Sequence, residues 1–149
     1  MYIRKEVNAM ATRQEKYPET KTFHYYNANP KNRITGDCVV RAICTALKKP
    51  YEEVYRELLE SCLKSGYSIA SKENYSKYLE LQGWVKQKQP RKSDGTKYTG
   101  KEFCKKLANK NQTYIAHIGG HHIVAIVDGK VNDIWDSTDG CIGNYWTNG

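Results

Sequence analysis

Apolar positions along the chain change period as it proceeds, and the change divides it into a helical part and an extended part. From Cys38 to Leu47, Val39, Ala42, Ile43, Ala46 and Leu47 recur at helical spacing until Pro50 stops the run. Pro50 can also open a second helix: Glu52 and Glu53 suit its positive end, Val54, Leu58 and Cys62 share one face, and Gly66 follows. A third helix is predicted over 71 to 82, with Ser71 as cap, Tyr75, Tyr78, Leu79 and Leu81 as its apolar positions, and Gly83 as its stop. Trp84 and Val85 then begin an extended segment. Asp94-Gly95 signals a turn, and Thr99 with Glu102 has the spacing of a capping box for a short helix through Asn109 that carries Cys104.

Beyond residue 112 the pattern becomes short and β-branched. TYIAHI, HHIVAIV and KVNDIWD are punctuated by Gly119-Gly120 and Asp128-Gly129, which reads as an antiparallel meander. Upstream, TKTFHYYN at 21 to 28 is a candidate short strand, and residues 1 to 20 form a loose lead-in to a single domain over 21 to 149. Helices first and strands last, without βαβ alternation, predict an α+β fold: an N-terminal helical layer packed on a C-terminal antiparallel sheet.

Composition narrows the class. With 39% hydrophobic residues the chain is globular, and no apolar run approaches the roughly 20 residues that cross a membrane. The opening residues lack the apolar stretch of a secretory signal, and five cysteines without CxxC spacing argue against a disulfide framework or zinc knuckle. The expected setting is the reducing cytoplasm. The net charge is +8, and residues 86 to 110 hold nine Lys or Arg against two acids. This Lys86 to Lys110 surplus reads as a solvated loop and helix face, with an acidic partner or nucleic acid as the alternative.

Candidate chemistry centres on Cys38. A thiol in the first turn of a helix sits where the macrodipole favours the thiolate, whereas Cys44 and Cys62 fall on packed faces. A cysteine nucleophile needs an imidazole to hold the thiolate and protonate the leaving group, and the imidazole needs a third group to fix its tautomer. His121 and His122 open one strand, and Asp136 ends the strand expected to pair with it. A two-residue Asp128-Gly129 turn sets His121 opposite Asp136, whereas a three-residue loop sets His122 there. A zinc site from His121, His122 and Cys141 is a weaker reading, so no metal or cofactor is expected.

On these residues the chain resembles the papain-like cysteine peptidases, and within them the bacterial double-glycine leader peptidase domains, here without a transporter. DCVVRAICTALKKPYEEVYREL at 37 to 58 is similar to the Asp-Cys helix and short second helix of that family, and YLELQGW at 78 to 84 to its third helix and Gly turn. TYIAHIGGHHIVAIVDGKVNDIWDS at 113 to 137 is similar to its His and Asp strands.

The resemblance implies Cys38 as nucleophile, His122 as base with His121 as the alternative, Asp136 as orienting acid, and the Asn32 amide as oxyanion donor where the family usually has glutamine. Val39 and Ser137 depart from the small residue and the proline usual in the family. The implied function is a cysteine hydrolase, peptidase or amidase, acting on a peptide or protein through a thioester, with cleavage after glycine expected in a narrow site. Two alternatives stand beside it: a cell-wall amidohydrolase, and a catalytically reduced scaffold that binds an acidic partner or nucleic acid through residues 86 to 110.

Overall fold

The computed structural model describes residues 13–149, so the first twelve residues of the lead-in lie outside the described residues. Residues 13 to 20 are tied to the domain. Residues 13 to 16 are helical, Arg13 Nε donates to the Ile134 carbonyl at 2.9 Å, and Tyr17 packs against the core. Glu19 accepts from Lys130 Nζ at 2.5 Å and meets His24 at 2.8 Å.

Three helices follow the first strand. Helix α1 (Cys38–Leu47) starts after Asp37 and ends at Lys48 in the left-handed region; α2 (Tyr51–Ser65) follows Pro50 as its cap; α3 (Lys72–Leu81) follows Ser71. Gly66, at φ 78, ends α2, and its N–H returns to the Cys62 carbonyl in the usual left-handed termination. The Thr99 box forms with both reciprocal bonds, but only Gly100–Glu102 (α4) is α-helical. The chain widens into a π-helical turn over Phe103–Leu107 and stops at Ala108, so the element ends earlier than the predicted Asn109.

The architecture is α+β, with the sheet differing from expectation in two ways. Six strands, β1 (Phe23–Tyr25), β2 (Trp84–Gln87), β3 (Tyr114–Ile118), β4 (His122–Val127), β5 (Lys130–Asp133) and β6 (Ile142–Asn148), lie in the order β1-β5-β4-β3-β6-β2. The sheet is mixed, because β1 runs parallel to β5 while the other pairs are antiparallel. It is also not confined to the C-terminal part, since β1 and β2 close its two edges. β6 was hidden in the sequence because Gly143 and Asn144 interrupt its apolar run; a register shift between Ala116 and Ile118 absorbs the irregularity.

Side-chain alternation gives the sheet two apolar faces. Ile115, Ile123, Ala125, Trp84 and Trp146 pack under Val40, Ile43, Val54, Leu58, Tyr75 and Leu79 of the three helices. On the other face Tyr114, Ala116, Ile118, Val124, Ile126 and Ile142 pack with Phe23, Phe103 and Cys104. The π-turn therefore covers the face that α1 to α3 leave open. Gly100 allows this approach: a Cβ there would lie 2.8 Å from Ile118 Cδ1 and 3.0 Å from the Thr138 Cα. Among the described residues no helix is long and apolar enough to cross a membrane.

Candidate active site

Cys38 is the first residue of α1, and the helix brings it to the start of β4. Its thiol is hydrogen-bonded to the His122 ring and receives the Ile123 backbone N–H. Burial pushes the thiol pKa up, but the hydrogen bond and charge of His122, the Ile123 N–H and the Arg41 charge together bring it below its ordinary value. The other helix cysteine shows the contrast: burial drives Cys44 up to about 11. Cys104 is likewise raised to about 12, whereas Cys62 is half-buried and Cys141 exposed.

The carboxylate that meets the histidine is Asp133. His122 Nε2 lies 2.5 Å from Asp133 Oδ2, which leaves Nδ1 for the sulfur. Burial lowers the pKa of the ring, but Asp133 and the Cys38 thiolate overcome this and raise it to about 9. Both shifts favour the thiolate and imidazolium forms of the pair over the neutral ones.

Strand register explains why Asp136 is not that carboxylate. Asp128 (φ 53) and Gly129 (φ 73) form the two-residue turn, with Val127 opposite Lys130. Continuing the count places His121 level with Asp136 and His122 level with Trp135. Pairing stops at Ala125 and Asn132, however, and the chain leaves β5 after Asp133. His122 then reaches Asp133 as its diagonal cross-strand neighbour. The Trp135 ring lies over the imidazole at 5.0 Å between centroids. Asp136 instead closes a turn, accepting from the Thr138 N–H at 2.9 Å and its hydroxyl at 2.5 Å. His121 is exposed in the turn before β4. Asn32 is exposed on the loop before α1, at φ 54, and its Oδ1 accepts from Asn27 Nδ2 at 3.4 Å.

Behind the pair lies a buried ionic chain absent from the sequence reading. Arg41, one turn along α1, donates from Nε to Asp37 Oδ1 at 2.8 Å and from Nη1 to Asp133 Oδ1 at 2.5 Å. The Arg41 and Asp133 side chains are 6% and 2% exposed, so the pair is desolvated and each charge depends on the other. Asp133 Oδ1 also accepts the Ile134 N–H at 2.8 Å, which fixes the carboxylate with Oδ2 turned to His122. Asp37 is completed by the Tyr51 hydroxyl at 2.8 Å and the Asn29 amide at 3.0 Å. The sequence signal was an arginine inside the apolar stripe VVRAI, four residues after an aspartate.

Among the described residues no group of three His, Cys, Asp or Glu side chains is placed to hold a metal ion. The basic segment is spread over β2, the following loop, α4, the π-helical turn and the loop after it. Lys92 is paired with Glu102, and Lys101 lies 2.7 Å from Asp139. Comparison of the chain with protein-family models, with curated proteins and with solved structures finds no match.

Proposed function

We propose that this protein is a cytoplasmic cysteine hydrolase of the papain-like kind, cleaving a peptide or amide bond through a thioester. The observation that carries the reading is the Cys38–His122–Asp133 chain: a helix-start thiol on one side of an imidazole whose other nitrogen is on a buried carboxylate. The Cys38 thiolate attacks the carbonyl carbon, and the tetrahedral oxyanion meets the Cys38 N–H, which as a first-turn donor has no partner in the helix ladder. Asn32 is assigned the second donor, from the family resemblance. Collapse expels the amine, which takes the imidazolium proton and leaves the acyl group on sulfur. Neutral His122 then removes a proton from water as it attacks the thioester, and thiolate and imidazolium are restored when the acid leaves. Asp133, held by Arg41, keeps the ring oriented and favours its charged form throughout.

The test is alkylation by iodoacetamide at pH 6, followed by mass mapping, beside cleavage of a peptide library by wild type and Cys38→Ala. Cys38 is expected to react first, and cleavage to vanish in the variant. Labelling of Cys38 no faster than Cys62 or Cys141 would remove the nucleophile assignment.

A further inference from the structure

The wall of the site beyond the thiol carries a lysine that forms no ion pair among the described residues. Ile123, whose N–H points at the Cys38 sulfur, pairs across the sheet with His117 of β3. His117 in turn lies against β6, where a Cβ on Gly143 would be 3.3 Å from its Nδ1. The next residue, Asn144, accepts from Lys72 Nζ at 2.6 Å, which fixes the first residue of α3 above this row. Tyr75, one turn further along α3, packs edge-on against Trp146 of β6 with centroids 5.8 Å apart, and this contact pins the helix start there.

The charges around this row are unequal. For this lysine, Lys72, burial first, then the field of Lys86 on β2, lower the pKa against a smaller opposing effect of Glu73. His117 is half-buried; burial first, then Lys72, His121 and His122, lower its pKa, so at neutral pH it offers one ring N–H. The nearest acid, Glu73, is bound at 2.6 Å by the Ser71 hydroxyl at the helix cap. Asn144 Nδ2 gives one of its two N–H donors to the Gln87 carbonyl at 3.1 Å, and Lys72, with one of its three donors on Asn144, and His117 bring the charge and the ring N–H to a ligand.

We propose that Lys72 and His117 form an anion-binding subsite beside the thiol, and that the enzyme acts on segments with an aspartate or glutamate near the bond it cuts. The inference rests on the hydrolase reading of Cys38. Distance sets the range: β4 to β6 is two strand spacings, about 10 Å, which an extended chain covers in about three residues. The acidic residue therefore lies within three positions of the scissile bond.

The experiment uses peptides with an internal epoxide in place of the scissile bond, in pairs that differ only by Glu or Gln, placed up to three residues to either side. Mass mapping reads the rate of Cys38 modification. At one or more positions the Glu peptide should react about tenfold faster than its Gln partner, and added salt should shrink the ratio. The ratio should persist in Lys72→Arg, approach one in Lys72→Gln and invert in Lys72→Glu. Equal rates at every position, or a ratio that survives Lys72→Gln, overturns the subsite while labelled Cys38 leaves the hydrolase reading standing. Modification of Cys38 no faster than Cys62 or Cys141 by every peptide and by iodoacetamide overturns that reading, and the subsite with it.

Discussion

Replacing Asp133 by asparagine keeps the shape of the triad and removes its charge, so it isolates what the carboxylate contributes. The rise of the His122 pKa from 6.5 to about 9 corresponds to roughly 3 kcal/mol of preference for the imidazolium. Asp133 is the first of the two groups that raise it, ahead of the thiolate. With the charge gone, the ring should lose its proton at least about one pH unit lower, and the thiol, deprived of a held imidazolium, should ionise correspondingly higher. The assay is the pH dependence of Cys38 alkylation by iodoacetamide. In wild type the rate should reach half its plateau below the roughly 8.5 of a free thiol. Asp133→Asn should move that midpoint upward by about one unit or more, and Asp136→Asn, which alters only a turn, should leave it in place. A circular dichroism spectrum of each variant checks that the fold persists. Superimposable profiles for wild type and Asp133→Asn, or an equal displacement in Asp136→Asn, would refute the assignment of the orienting carboxylate.

Arg41→Met should destabilise the fold by about 3–5 kcal/mol, because Asp37 and Asp133 lose their shared buried cation; urea unfolding measures it, and a loss under about 1 kcal/mol would contradict the ionic chain. Gly100→Ala should cost about 1–3 kcal/mol through collision with Ile118 and the Thr138 backbone, read as a lower melting temperature. In Cys38→Ala, where the thiol neither titrates nor raises the ring, the rise of the His122 pKa that Asp133 supplies should give stability that is complete below pH 6.5 and lost as pH rises through the folded value of the variant. That fall should disappear when His122→Gln is added, as followed by melting temperature against pH.

Much of the helical layer is written in local pattern. Pro50, Gly66 and Gly83 punctuate the chain whatever the tertiary context, and the Thr99-Glu102 spacing forms its box. The two-residue turn at Asp128-Gly129 follows equally from the φ values that those residues tolerate. Partnership was less accessible. β1 and β2 are four residues or fewer, and their places at the sheet edges depend on strands about a hundred residues away for β1 and about sixty for β2. Cys38 and His122 were legible because helix starts and strand starts are local features. Asp133 was not, since choosing between two aspartates three residues apart required knowing where the β4 and β5 ladder opens. Arg41 was hidden for a different reason: a cation in an apolar stripe has meaning only once both acids around it are known.

The position of β6 has a consequence for the order in which the molecule can be made. It is the last of the described strands in sequence, yet it lies between β3 and β2. Until residues 142 to 148 leave the ribosome, β2 has no neighbour, Trp84 lacks the strand it packs beside, and the open edge of β3 is free to pair with another chain. The nascent protein can assemble its helices and the β3 to β5 meander early, but closing the sheet must await a pairing of long sequence separation, which slows folding. Asn144, which anchors Lys72, arrives with that strand. A chain still in synthesis would thus bring its thiol and imidazole together before the strand that anchors Lys72 beside them is in place.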